Sequence, residues 1–200
     1  MKYTRLGNSD LNVSRICMGC MGFGDASNGQ HSWTIDEEHS REIIKRGLKL
    51  SAVQNHYSLI NRSSEDSGIL DYCRENDITF FSYMVLEQGA LSGKYDTAHP
   101  MPAGSARADS YNPILGKLEV LNKTLAEIAE KHGAGIAQIP VAWAIAKNTL
   151  PIIGVTKVSH VEDAVKAANI TLTAEEVSEL ERVADSLELN VIRFWEKEMK

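Results

Sequence analysis

Residues 51–86 read SAVQNHYSLINRSSEDSGILDYCRENDITFFSYMVL, and this stretch decides the fold. Ala52-Val53-Gln54-Asn55 is a short β-prone segment. A helix is expected from about Ser63, with Ile69, Leu70 and Cys73 on one face, and residues 78–86 are β-branched and aromatic enough for another strand. Strand, helix and strand in that order make a βαβ unit, whose two strands are parallel and whose crossover is right-handed.

Working outward, the same alternation continues on both sides. Upstream, Tyr3-Thr4-Arg5-Leu6, the Gly7-Asn8 turn and Leu11-Asn12-Val13 suggest a hairpin, and a buried strand is expected over residues 13–18. After a Gly-rich stretch to Gln30, Thr34 and Glu37 have the spacing of a capping box, and Ile35, His39, Ile43 and Ile44 recur at helical spacing up to Gly47. Downstream, residues 89–113 read as a long loop rich in Gly, Pro, Ala and Ser. Leu118, Leu121, Leu125 and Ile128 then mark a helix that stops at Gly133, and a second helix over 136–147 accepts Pro140 in its first turn. Pro151-Ile152-Ile153-Gly154-Val155 is wholly apolar, as expected of a parallel strand covered on both faces. Ser159 with Glu162 and Thr173 with Glu176 have capping-box spacing before two last helices, the first through Val161, Val165 and Ala168, the second through Val177, Leu180, Val183 and Leu187. The reading is α/β: an N-terminal β-hairpin and about four parallel βα units.

The chain has 200 residues, 43% hydrophobic and 24% charged, with a net charge of −6 and no Lys/Arg cluster that could follow a phosphate backbone. A nucleic-acid partner is therefore not expected. No run approaches the roughly 18 apolar residues that span a bilayer, so a membrane partner is not expected either and a cytoplasmic location is. Cys17, Cys20 and Cys73 are too few for a disulfide framework, and the CxxC of Cys17 and Cys20 lacks a second ligand pair, so no metal site is expected.

Four stretches, in order, resemble the bacterial-type aldo-keto reductases: YTRLGNSDLNVSRICMGCMGFG, VQNHYSLINR, FSYMVLEQGALSGKY and IIGVTKVSHVEDAVKA. The resemblance implies a (β/α)₈ barrel of the TIM type with NADP(H) across the C-terminal ends of its strands and a small-molecule carbonyl compound as substrate. A complete barrel takes roughly 250 residues, so four units make a partial one. By position, Gly19, Cys20 and Met21 match the segment where the family's first strand meets the nicotinamide and substrate pocket. Gln54 matches the residue that holds the nicotinamide carboxamide, a task suited to an amide because it both donates and accepts. Tyr83 matches the aromatic that stacks on the nicotinamide. Met84, Leu86, Gln88 and Gly89 fall on the loop over the pyrophosphate, with Met84 where the family often has Ser. Gly154, Thr156, Lys157, His160 and Asp163 match the adenine and 2′-phosphate end, where Lys157 and a helix start favour an anion.

The family's acid machinery has no counterpart. Carbonyl reduction needs an acid at the carbonyl oxygen, and the resemblance leads one to look for a Tyr with its pKa lowered by a Lys, oriented by an Asp and assisted by a His. Here Leu50 runs directly into the segment that resembles the sixth strand, as if two ends of a barrel met near 50/51 within a single domain covering 1–200. No residue is assigned as catalytic; His56 and Tyr57 are the one pair that could mimic the acid. The implied function is an NADP(H)-dependent oxidoreductase in a deletion form, with weak NADPH binding and impaired or absent carbonyl reduction. The alternative is a non-catalytic half-barrel that binds nucleotide or assembles, and a homodimer that completes the barrel is the expected assembly.

Overall fold

The computed structural model describes residues 2–14, 36–45, 50–189 and 191. They belong to two compact units, the second of which begins at Leu50.

In the first unit, β1 (Tyr3–Arg5) and β2 (Asn12–Ser14) form an antiparallel hairpin in the register Tyr3↔Ser14, Thr4↔Val13, Arg5↔Asn12. Gly7 turns the chain with φ +57°, and the Arg5 guanidinium donates to the Ser9 carbonyl at 2.5 Å. Val13 and Ser14 thus belong to the hairpin; the rest of the strand expected over 13–18 lies outside the described residues, with Cys17, Gly19, Cys20, Met21 and Thr34. The helix α1 (Glu37–Lys45) starts behind Asp36, whose carboxylate accepts the His39 backbone N–H at 2.9 Å.

The second unit is a parallel sheet covered by helices. β3 (Ala52–His56), β4 (Thr79–Tyr83) and β5 (Leu150–Pro151) lie in the order β3-β4-β5, with Ala52↔Thr79 through His56↔Tyr83 and Phe81↔Leu150 in register. Between β3 and β4 the helical reading holds, but as two pieces, α2 (Ser63–Asp66) and α3 (Ile69–Glu75), because Gly68 adopts φ +75° and breaks the ladder. β4 ends at Tyr83, short of the expected Leu86: Met84 has φ +63°, and Glu87–Gly89 forms a 3₁₀ turn. The expected loop contains α4 (Ala106–Tyr111), capped by the Ser105 hydroxyl, and a short 3₁₀ segment; Asn112 fastens it by pairing with both the N–H and the carbonyl of Met101 at 2.9 and 3.0 Å.

α5 (Leu115–Lys131) and α6 (Gln138–Ala146) then pack the core. Leu118, Leu121, Leu125 and Ile128 are all buried, and Gly133 ends the turn with φ +59°. Trp143 is fully buried, its ring stacked on Tyr57 at 5.0 Å and its N–H donated to Glu181 at 3.0 Å. The last helices are α7 (Val158–Ala167) and α8 (Ala174–Ser186); Thr173 and Glu176 form the expected capping box. Ser159 does not cap α7: Lys157 sits at the N-cap, with no side-chain hydrogen bond. The apolar run 151–155 also departs from expectation, since only its first residue is in a strand and Ile152, Gly154 and Val155 are exposed. β5 has β4 on one side, and no described strand lies on the other. The architecture is α/β, a partial (β/α)₈ barrel.

Candidate functional site

Parallel pairing decides which side chains share a face. Val53, Asn55, Phe80 and Ser82 turn toward the helices: Phe80 and Ser82 are buried, Asn55 donates to the Ser64 hydroxyl at 3.3 Å, and Ser82 meets Thr149 at 2.9 Å. Gln54, His56, Phe81 and Tyr83 therefore share the opposite face. Gln54 is exposed there, and the Tyr83 ring stacks on His56 at 5.5 Å with the planes 28° apart.

The loop after β4 carries the next group. Met84, Glu87 and Gln88 have φ of +63°, +47° and +54°, and Gly89 has +101°. A left-handed conformation costs a non-glycine residue about 1–2 kcal/mol, so the surrounding structure must impose it. Glu87 does much of this: fully buried, its Oε1 accepts from His56 Nε2 at 2.6 Å and Ser58 Oγ at 2.5 Å, and its Oε2 accepts from the Tyr111 hydroxyl. Arg107, on α4, donates to the Gln88 carbonyl and the Tyr95 hydroxyl, both at 3.4 Å, and lies over the Tyr95 ring with Lys94 also against that ring. Two cations thus flank this loop. Neither was evident from sequence, because Arg107 sits on a helix hidden in a Gly- and Pro-rich stretch.

At the start of α7, Thr156 donates its backbone N–H to His160 Nδ1 at 3.3 Å, and Lys157 occupies the N-cap. The first turn contains no acidic residue and no side chain caps it, which leaves the helix start open to an anion. Asp163 is engaged elsewhere, accepting from Gln138 at 3.0 Å and pairing with Lys166 at 3.8 Å. Adding a Cβ to Gly154 would meet nothing within 4 Å. The structure thus gathers Gln54, Tyr83, Met84, Leu86, Gln88 and Gly89 around the C-terminal ends of β3 and β4. Thr156, Lys157 and His160 follow β5, which runs parallel to both.

His56 and Tyr57 do not work as a pair. Consecutive in a strand and its continuation, they point to opposite sides: His56 to Glu87, and Tyr57 between Trp143 and Phe80. Burial, and then the nearby Glu65 carboxylate, push the Tyr57 hydroxyl far above its ordinary pKa, the opposite of what a proton donor to a carbonyl needs. Around it, Arg62 and Lys147 pair with Glu65 and Glu181; burial alone would lower the Lys147 pKa, but the two carboxylates outweigh it and raise it. Among the described residues, no group of three or more His, Cys, Asp or Glu could hold a metal, and no helix is long and apolar enough to cross a membrane.

Residues 34–185 match the Aldo/keto reductase family. The chain is 38% identical over 139 residues to the chloroplastic pyridoxal reductase of Arabidopsis thaliana, covering 70% of this chain and 38% of that one. It is 29% identical over 180 residues to a probable pyridoxal reductase 2 of Schizosaccharomyces pombe, covering 84% and 54%. Among solved structures it is similar to a thermostable aldo-keto reductase in complex with the inhibitor epalrestat, with 27% identity, a TM-score of 0.55 and coverage of 74% and 46%. The chain belongs to the aldo/keto reductase family, and it spans about half the length of these relatives or less.

Proposed function

We propose that this chain is the cofactor-holding part of an NADP(H)-dependent aldo-keto reductase, a deletion form joined near 50/51 within one domain over 1–200, which binds NADPH weakly and reduces small carbonyl compounds slowly or not at all. The donor set fits such a group: Gln54 for a carboxamide, the Tyr83 face for a nicotinamide ring, Lys94 and Arg107 beside the 84–89 loop for a pyrophosphate, and Lys157 with His160 at an uncapped helix start for a 2′-phosphate. The bound dinucleotide would supply a hydride. What carries the non-catalytic half of the reading is Tyr57, the tyrosine nearest the end of β3, which is fully buried in an aromatic stack and so holds its proton away from the site face. A cytoplasmic location goes with this reading.

Fluorescence titration tests it. NADPH is expected to bind more tightly than NADH, and Lys157→Ala to remove the difference. With pyridoxal, the substrate named for two relatives, or a nitrobenzaldehyde, turnover should stay at background. Turnover of about 1 per second or more would overturn the deletion reading, and absence of NADPH binding would overturn the cofactor reading.

A second reading, assembly as a homodimer, rests on a separate observation. Leu150, Ile152 and Val155, and Val158, Val161 and Val165 on α7, are all exposed. The proposed dimer uses the outer edge of β5 of each copy and so completes a barrel.

A further inference from the structure

Beneath the Tyr83 ring lies a polar cluster to which neither reading assigns a role. Its centre is Glu87, fully buried, with donors from three elements: His56 from the end of β3, Ser58 from the turn that follows, and Tyr111 from the end of α4. A buried carboxylate is held in place by the donors that replace its water, and charge-assisted bonds of this kind are short and strong. The imidazole is fixed in turn. Asn61 Nδ2 donates to His56 Nδ1 at 2.9 Å, and the Asn61 Oδ1 accepts from the Ser63 hydroxyl at 2.8 Å, which sets the orientation of the amide. His56 Nδ1 is therefore an acceptor, and the proton on Nε2 is the one given to Glu87. The same ring is stacked on Tyr83. Glu87 also belongs to the loop it anchors, with φ +47° followed by +54° at Gln88, and its N–H returns to the Met84 carbonyl at 2.7 Å.

We infer that Glu87 is a positioning residue: one buried carboxylate sets the tilt of the Tyr83 ring, through His56, and the left-handed turn at Glu87, Gln88 and Gly89 together. The inference rests on the reading of Tyr83 and this loop as part of a dinucleotide site. It gives the loop its shape before any ligand arrives, so the ordering is not charged against binding.

Three variants of the full chain test it: Glu87→Ala, Glu87→Gln and Tyr111→Phe. The wild type should show a protected imidazole N–H proton resonance far downfield and slow amide exchange across 84–90. In Glu87→Ala that resonance should vanish, exchange should rise in this loop ahead of the rest of the unit, and NADPH affinity should fall about tenfold or more. Glu87→Gln keeps an acceptor for His56 and Ser58, while the Tyr111 hydroxyl can turn to accept, so it should restore most of the affinity. Tyr111→Phe loses one donor and should weaken NADPH about two- to tenfold; it decides the matter if Glu87→Ala does not fold. Wild-type affinity in Tyr111→Phe with unchanged loop exchange would overturn the inference, as would a rise in exchange spread evenly over the unit, which marks a merely stabilising residue. A wild-type chain that binds no NADPH would instead remove the cofactor reading, while the exchange and the proton resonance would still report on the clamp.

Discussion

His56 and Tyr83 are register partners at the C-terminal ends of β3 and β4, and their rings stack with centroids 5.5 Å apart. Register pairing in a parallel sheet puts them on one face with Gln54 two residues earlier, so this face presents an aromatic surface beside an exposed amide. Tyr83→Leu keeps the apolar volume and removes the aromatic face. Since ring stacking is worth about 0.5–1.5 kcal/mol, NADPH affinity should fall roughly two- to tenfold, with little change in melting temperature because Tyr83 is only half-buried. An unchanged fluorescence titration would take Tyr83 out of the site.

Tyr57 is buried with its hydroxyl near the Glu65 carboxylate but without a hydrogen bond of good geometry, while its ring is stacked on Trp143. Leaving a buried polar group without a partner costs about 1–3 kcal/mol. Tyr57→Phe should therefore leave stability unchanged or raise it by up to about 1 kcal/mol, whereas Trp143→Ala should cost about 3–5 kcal/mol. Urea unfolding measures both. A loss of more than about 1 kcal/mol in Tyr57→Phe would show that the hydroxyl is bonded after all.

Where the sequence spoke clearly, it did so through local physics. The α5 face of Leu118, Leu121, Leu125 and Ile128 and the Thr173–Glu176 box are short-range patterns, and the structure contains them as read. The failures share a different origin. Residues 84–86 are as β-prone as those before them, yet the chain leaves the strand at Met84, because a long-range set of bonds to Glu87 from residues 29, 31 and 24 positions away imposes a left-handed turn. Helix α4 was hidden because its stability comes from the Ser105 cap and the Asn112 pairing with Met101, not from periodicity. The apolar run 151–155 predicts a covered strand, yet β5 ends at Pro151 and Ile152, Gly154 and Val155 are exposed, because composition alone does not tell a covered strand from an apolar stretch with no neighbour among the described residues. For the candidate site, family likeness located Gln54, Tyr83 and Lys157, while the cations Lys94 and Arg107 and the buried Glu87 became visible only from contacts.

The cap of α8 gives a pH dependence. Burial alone would raise the Glu176 pKa, but the Thr173 backbone N–H at 3.0 Å and His132 at 2.9 Å outweigh it and hold the carboxyl below its ordinary 4.5. A carboxylate depressed in the folded state contributes stability that is present above its unfolded value and disappears as pH falls through the folded one. The advantage of the wild type over Glu176→Gln should therefore be steady down to about pH 5.5 and shrink below pH 4.5. Urea midpoints measured across this range check it; an advantage that persists through acid would mean that Glu176 acts through packing.

The assembly proposal can be tested away from the candidate site. Val158, Val161 and Val165 recur at i, i+3 and i+7, so they share one face of α7, and they are 76%, 49% and 60% exposed. Beside them in sequence, Leu150, Ile152 and Val155 are 48%, 42% and 49% exposed. Six large apolar side chains are thus exposed within sixteen positions, from 150 to 165, and three of them share one face of α7, which an apolar partner could cover. The backbone adds a reason for pairing: Ile152 gives its N–H to Ser82 of β4, and the other side of β5 has no strand partner among the described residues. Val161→Lys combined with Val165→Glu places opposite charges one turn apart on that face, where they can pair with each other and repel an apolar partner. Because both sites are already exposed, the monomer's thermal unfolding should move little. Light scattering behind a sizing column should find the wild type dimeric and the double variant monomeric. A monomeric wild type would end the assembly reading, and a double variant that remains dimeric would move the interface off α7.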